Sequence, residues 1–242
     1  MTLCDRFVSF MPTYLFVLAR LPRLLLTGPL SFPGRELLRT LAGNLHYRRA
    51  AREALAEAEF PFAAAWQQLV LVDPREDPDS VKLLELYHFG ALMKSFNVVK
   101  IFEIGTSRGR SSINFAANLP GHGTVRTLDV GDYWDPAYDV TPWATKVERL
   151  TADSTMFDFG PLERSADLVF IDGDHSYRAV LSDSMNALRL VTAGGLIVWH
   201  DFQKHDGVTN ALLHLHRTDA RFTGLRLIRD TSLAILATPH LN

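Results

Sequence analysis

Phe170-Ile171-Asp172-Gly173-Asp174-His175-Ser176-Tyr177 is the stretch that decides the fold. It follows the apolar run Leu168-Val169-Phe170-Ile171, which reads as a buried strand, and it precedes residues 177–190, which read as a helix. Two carboxylates and a histidine therefore fall where a parallel strand ends. In open α/β sheets that edge is where ligands bind. A simple turn needs Gly and one Asp, not Asp-Gly-Asp-His. The plainer reading is a turn in which Asp174 or Ser176 caps the helix, and both readings can hold together.

The same pattern extends in both directions. Residues 98–104 are a second buried-strand run, ending in Gly105-Thr106-Ser107-Arg108-Gly109 before a helix at 111–119. Strands follow at 124–130, ending at Asp129, and at 147–150, ending near Asp153-Ser154. The deciding stretch contributes a strand at 167–171, and residues 195–199 make the next, ending at His200-Asp201. A helix at 207–217 and short strands at 225–228 and 233–236 complete the chain. Alternating strands and helices imply right-handed crossovers and a mostly parallel sheet covered on both faces. Asp230-Thr231-Ser232 is a short link, so the last two strands are expected to pair antiparallel. The expected fold class is α/β: a Rossmann-like, doubly wound, seven-stranded sheet with an antiparallel last strand and an N-terminal helical extension.

The chain has 242 residues, of which 47% are hydrophobic and 21% charged, enough to bury a sizeable core. A net charge of −2 gives no electrostatic reason to expect nucleic acid. A lone Cys4 excludes an intramolecular disulfide and fits a reducing, cytoplasmic setting. The N-terminal region, 1–79, reads as a hydrophobic arm with a helical cap, and 80–242 as the main domain. Within the arm, residues 7–30 are rich in Phe, Leu and Val but are broken by Arg20, Pro22 and Arg23. The uncharged part, 7–19, is shorter than the ~20 residues a bilayer needs, and signal-peptide features are poor. It can pack on the domain or on a second subunit, lie on a membrane surface, or form a tail. A homo-oligomer and peripheral membrane contact through 7–30 are the partner expectations. Residues 34–59 read as helical, 73–79 as a proline-containing break, and 81–96 as a helix capped by Ser80.

The glycine loop carries a second chemical signal. Glycines let the backbone approach a ligand closely, and the helix after them offers free N–H groups. Asp129 lies 20 residues after Gly109, where an acidic residue meets ribose hydroxyls in nucleotide-type folds. Neither G-x-G-x-x-G nor G-x-x-x-x-G-K-[ST] is present, which points to an adenosine ligand smaller than a dinucleotide.

Glu103-Ile104-Gly105-Thr106-Ser107-Arg108-Gly109 resembles motif I of class I S-adenosylmethionine-dependent methyltransferases. Residues 168–177 and 194–201 resemble the later motifs of a branch that includes cephalosporin-hydroxylase-like and sugar O-methyltransferase-like proteins. The resemblance covers about residues 81–238. It implies that Glu103, Gly105, Thr106, Ser107 and Gly109 face the cofactor, that Asp129 accepts from the ribose, and that Asp153, with Ser154 beside it, meets the adenine. Asp172 is implied at the cofactor and in catalysis, and with Asp201 at a divalent metal such as Mg or Mn. His175 is implied as general base.

A sulfonium methyl is already a strong electrophile, so an enzyme must align the acceptor and remove its proton. Histidine can take that proton, and a hard cation can lower the acceptor's pKa. His200 departs from the acidic residue usual beside Asp201 in metal-dependent relatives. Imidazole suits softer metals than magnesium, so the open readings are a different metal with His200 as ligand, a supporting role, or no metal. His205, His214 and His216 read as ordinary surface or helix residues, and Tyr133-Trp134-Asp135-Pro136-Ala137-Tyr138 either lines the acceptor pocket or packs as a loop. The expected activity is methyl transfer from S-adenosylmethionine to a hydroxyl of a small molecule or sugar. The alternatives are an N-methyltransferase and a non-catalytic binding or assembly module.

Overall fold

The computed structural model describes residues 55–58, 69–74 and 80–239, all within one compact unit, Ala51–Asn242. The apolar arm at 7–30, and with it the membrane and oligomer expectations, lies outside the described residues. Among the described residues no helix is long and apolar enough to cross a membrane.

In chain order the elements are α1 (Leu83–Ser95), β1 (Lys100–Ile104), α2 (Arg110–Asn118), β2 (Thr124–Asp129), β3 (Val147–Thr151) and β4 (Ala166–Ile171). Then come α3 (Tyr177–Leu190), β5 (Val191–Trp199), α4 (Asp206–Thr218), β6 (Arg226–Leu227) and β7 (Ala234–Ala237). The sheet order is β3-β2-β1-β4-β5-β7-β6. β1 to β5 run parallel, and β7 lies antiparallel between β5 and β6. The expected antiparallel end of the sheet is present.

The central strands read as unbroken apolar runs because both sheet faces are covered. On β4, Leu168 and Phe170 join Phe89 and Leu92 of α1 and Phe115 of α2 in one core. Val169 and Ile171 point the other way, toward Val180 of α3 and Ala211 and Leu212 of α4. Each residue step thus flips the side chain between two helix layers, as the period of two demands.

Four expectations need correction. The first strand begins at Lys100, not Val98, because the amides of Val99 and Lys100 donate to the Asp167 carboxylate. Helix α1 begins at Leu83 with Lys82 as its cap residue, not at Val81 with Ser80 as cap, and Glu85 Oε2 takes the Lys82 amide at 2.8 Å. Leu55 to Ala58, the described end of the expected helix 34–59, is not helical. Glu57 bridges Leu227 in parallel, with Leu227 N–H donating to Ala56 and Ala58 N–H to Leu227. Strand β5 starts at Val191, directly after α3, rather than at Gly195.

The chain turns outward in opposite directions from β1 and β4, the switch point where open sheets form a crevice. Gly105 caps β1 there with φ +103°, and a Cβ on it would sit 2.1 Å from the Asp172 carbonyl oxygen at the end of β4. Both the left-handed backbone and this backbone-to-backbone approach require glycine. Gly105→Ala is expected to destabilise the domain by about 1–3 kcal/mol, read as a lower midpoint in thermal denaturation. An unchanged midpoint would mean that the loop lifts off β4 without cost.

Candidate active site

Gly105, Ser107, Asp129, Asp153, Ser154 and Asp172 line one cleft of about 830 Å³ at the carboxyl ends of β1, β2, β3 and β4. That volume suits a small-molecule ligand. Asp129 is held by two amides: Ser107 N–H donates to Oδ2 at 2.8 Å and Val130 N–H to Oδ1 at 2.7 Å. Each oxygen keeps an acceptor site toward the cleft. Asp153 Oδ1 is tied to the amide and hydroxyl of Thr155. Helix α3 adds Arg178 and Ser182, one turn apart on the same face, which the sequence reading missed. Their i, i+4 spacing right after the strand end is the signal that could have found them. Of the aromatic segment, Tyr133 lines the cleft, whereas Trp134 and Tyr138 are buried. The Tyr138 hydroxyl donates to Asp73, so the segment is packed loop and cleft wall at once.

Glu103, Thr106 and Gly109 do not line the cleft. Glu103 is fully buried behind it, accepting from the hydroxyls of Ser111, Ser112 and Thr127. Thr106 bonds Thr127, and Gly109 starts α2 at φ +83° against the Trp134 ring. These three build the loop that presents Gly105 and Ser107. Burial pushes the Glu103 carboxyl up to about 7, against the lowering effect of the three hydroxyls. A carboxyl raised on folding contributes stability below its unfolded value of 4.5 and loses it as pH rises toward 7. Wild-type stability is therefore expected to fall over that window relative to Glu103→Gln, by on the order of 3 kcal/mol. Parallel pH–stability curves for the two proteins would show that Glu103 is ionised throughout.

Beyond Asp172 lies a cluster of histidines and carboxylates. Asp201 sits at φ +59° just past β5, a left-handed conformation that Asp tolerates better than most residues. Its Oδ2 is 3.2 Å from His175 Nε2, and its Oδ1 is 3.2 Å from His200 Nδ1 and 3.0 Å from Lys204 Nζ. Asp172 Oδ1 lies 3.1 Å from His200 Nδ1 and 3.7 Å from His175 Nε2. His205 is not an ordinary surface residue as expected. It stacks on His175 at 4.1 Å and lies 3.6 Å from Asp201, because α4 starts close against the His175 loop. A Cβ on Gly207 would meet the His175 carbonyl at 2.1 Å. His214 and His216 lie along α4 away from this cluster, beside Tyr177 and the Phe222 carbonyl. Ser176 caps α3, one of the two candidates of the plainer reading, by accepting from the Ala179 amide, and Asp174 closes the turn before it by accepting from the Ser176 amide.

The charges support one another. The Asp172 and Asp201 carboxylates push His175 up to about 9. Burial opposes a charged ring at His200, but Asp172, Asp201 and Glu85 outweigh it and push His200 up to about 11. Burial would raise Asp201, yet His175, His200 and Lys204 hold it well below the ordinary carboxylate range.

The donors also fit a divalent cation. Asp172, His200 and Asp201 offer ligand atoms within 4.8 Å of one another, as do His175, Asp201 and His205. His200 Nδ1 and His175 Nε2 are buried and have no partner in hydrogen-bond geometry. Two imidazole nitrogens without directed partners, facing two carboxylates, form a nitrogen–oxygen donor set of the kind first-row transition metals accept.

The sheet has a Rossmann-like fold, seven strands with an antiparallel β7, shared with solved structures described as O-methyltransferases. Residues 102–202 match the model of a family described as a methyltransferase domain. Among solved structures, the chain is similar to a candidate caffeoyl-CoA O-methyltransferase of Staphylococcus aureus, with a TM-score of 0.56 and 20% identity over 66% of this chain and 85% of that one. A candidate O-methyltransferase of Klebsiella pneumoniae gives 0.56 and 18% over 82% and 89%. An O-methyltransferase of Bacillus cereus, solved with S-adenosylhomocysteine, gives 0.52 and 18% over 88% and 94%. At these identities the likeness is one of fold. An uncharacterized protein of Acanthamoeba polyphaga mimivirus is 35% identical over 60 residues, which is 24% of this chain and 27% of that protein's length.

Proposed function

We propose that the protein transfers the methyl group of S-adenosylmethionine to a hydroxyl of a small molecule or sugar, with His175 as general base. The observation that carries this reading is that Asp172 belongs to two sites at once. It lines the cleft with Gly105, Ser107, Asp129 and Asp153, and it faces the His175, His200 and Asp201 cluster. A cofactor in the cleft would place its methyl end toward a group able to take a proton. The methyltransferase-domain match and the S-adenosylhomocysteine in the Bacillus cereus structure support the cofactor. The solved structures described as O-methyltransferases support an oxygen acceptor.

Each residue then has a chemical task. Asp129 accepts from the ribose hydroxyls, pre-set by two backbone amides. Asp153 and Ser154 line the adenine end of the cleft. Gly105 lets the methionine end approach the backbone. His175 takes the acceptor proton as the methyl C–O bond forms and the methyl C–S bond breaks, its electron pair staying on the sulfur of S-adenosylhomocysteine, and Asp172 and Asp201 hold the resulting imidazolium. Asp172, His200 and Asp201 would hold the divalent metal. Bound there, a cation would lower the acceptor hydroxyl's pKa and offset the carboxylate charge that otherwise keeps His175 protonated. In this reading residues 80–242 carry the reaction and the N-terminal region shapes acceptor choice.

The test is calorimetry with S-adenosylmethionine, followed by transfer of its labelled methyl to a panel of hydroxyl and amine acceptors. Binding with transfer to oxygen is the expected result. A folded protein that binds no S-adenosylmethionine would overturn the reading.

A further inference from the structure

Glu85 is the buried group that the proposed mechanism leaves unused. It lies on α1, is 2% exposed, and sits far from the cleft in sequence. Its Oε1 accepts from the amide of Ser232 at 2.9 Å and the hydroxyl at 2.6 Å, and its Oε2 accepts from the Lys82 amide at 2.8 Å. His200 Nε2 reaches that same Oε2 at 2.9 Å. A carboxylate in this setting only accepts, so Nε2 carries the proton and donates. Nδ1 is then the ring atom turned to the cluster, and it becomes a metal ligand on giving up its proton. Asp172 Oδ1 and Asp201 Oδ1 lie 3.1 and 3.2 Å from it, without hydrogen-bond geometry to either. Two carboxylate oxygens and this nitrogen thus converge on one place, where a bound metal ion would take over the charge that a proton on Nδ1 and the Lys204 ammonium otherwise supply.

We infer that Glu85 is a positioning residue that fixes His200 as a nitrogen ligand, so that the Asp172–His200–Asp201 site takes a first-row transition ion in preference to Mg2+. A carboxylate behind the far ring nitrogen sets the tautomer and orientation of a metal-bound histidine and raises its basicity. Magnesium favours an all-oxygen shell, whereas Mn2+, Co2+ and Zn2+ accept imidazole. Lys204, already on Asp201 at 3.0 Å and partly exposed, is the cation such an ion would displace. The inference deepens the metal-assisted form of the proposed function and rests on it.

The test uses the full chain, stripped with chelator and titrated with MnCl2, CoCl2 or MgCl2, with S-adenosylhomocysteine binding measured in parallel. The expected result is tighter binding of Co2+ than of Mg2+, visible Co2+ d–d bands, and 14N modulation in pulsed EPR of bound Mn2+. His200→Asn should weaken that modulation and move preference toward Mg2+, because an amide oxygen replaces the nitrogen. Glu85→Gln should weaken Co2+ binding by about 10–100-fold while S-adenosylhomocysteine binding persists. If Glu85→Gln does not fold, His200→Asn still decides. Mn2+ that binds, is lost in Asp201→Asn, and shows the same 14N modulation in His200→Asn as in wild type would overturn the inference and leave the metal-assisted reading standing. Equal or tighter Mg2+ binding in wild type overturns it too. Absence of any metal binding in a protein that still holds S-adenosylhomocysteine overturns both the inference and metal assistance, but not methyl transfer. Loss of S-adenosylhomocysteine binding itself would sink the proposed function.

Discussion

His175→Ala is expected to slow methyl transfer by about 10²–10⁴-fold, the usual loss when a general base is removed, while S-adenosylmethionine affinity stays close to wild type. The separation follows from position. His175 is not among the cleft-lining residues; it lies 3.2 Å from Asp201 and stacks on His205. Its environment also sets a pH signature. Asp172 and Asp201 push the ring up to about 9, and a base works only when neutral. In chelator-treated enzyme, kcat should therefore rise with pH through that region, and in His175→Ala the rise should vanish. Steady-state kinetics on an identified acceptor, with calorimetry on the same samples, checks both halves. Full activity in the variant would reduce His175 to a turn residue before α3.

Asp129→Ala is expected to weaken S-adenosylmethionine binding by about 1.5–3 kcal/mol, the worth of hydrogen bonds to a charged acceptor. The carboxylate is partly exposed at the end of β2, lines the cleft, and is aimed by the Ser107 and Val130 amides. Removing it takes away the acceptor and also the tie between the glycine loop and β2. Asp129→Asn keeps much of the shape, so the comparison of the two variants separates charge from loop anchoring. Calorimetric titration of the folded variants gives the answer. An affinity equal to wild type would mean that the ribose does not lie at Asp129.

The parallel strands were legible because their signals are local. A run such as Leu168-Val169-Phe170-Ile171 declares burial on both faces, and Gly, Asp and Ser after it declare a turn and a helix cap. The helix at Tyr177–Leu190 was readable to the residue for that reason. Ends set by side chains distant in sequence were not readable. Asp167 takes the Val99 and Lys100 amides at the start of β1 from far along the chain, whereas the start of α1 is set locally, by Glu85 on the amide of Lys82 three residues before it.

The sequence by itself determined that carboxylates and histidines gather at strand ends, since chain order and strand periodicity already place Gly105, Asp129, Asp153, Asp172 and Asp201 on one edge of a parallel sheet. Only the tertiary structure decided which of them meet. It put Glu103 behind the cleft instead of in its wall, because two α2 hydroxyls and one from β2 enclose it. It brought His205 onto His175, because Gly207 lets α4 pack against that loop. It joined Glu85 to His200 across 115 residues of chain. Local periodicity records which way a side chain points from its own backbone. Which distant partner it finds depends on how helices and strands pack, and no short window of sequence holds that information.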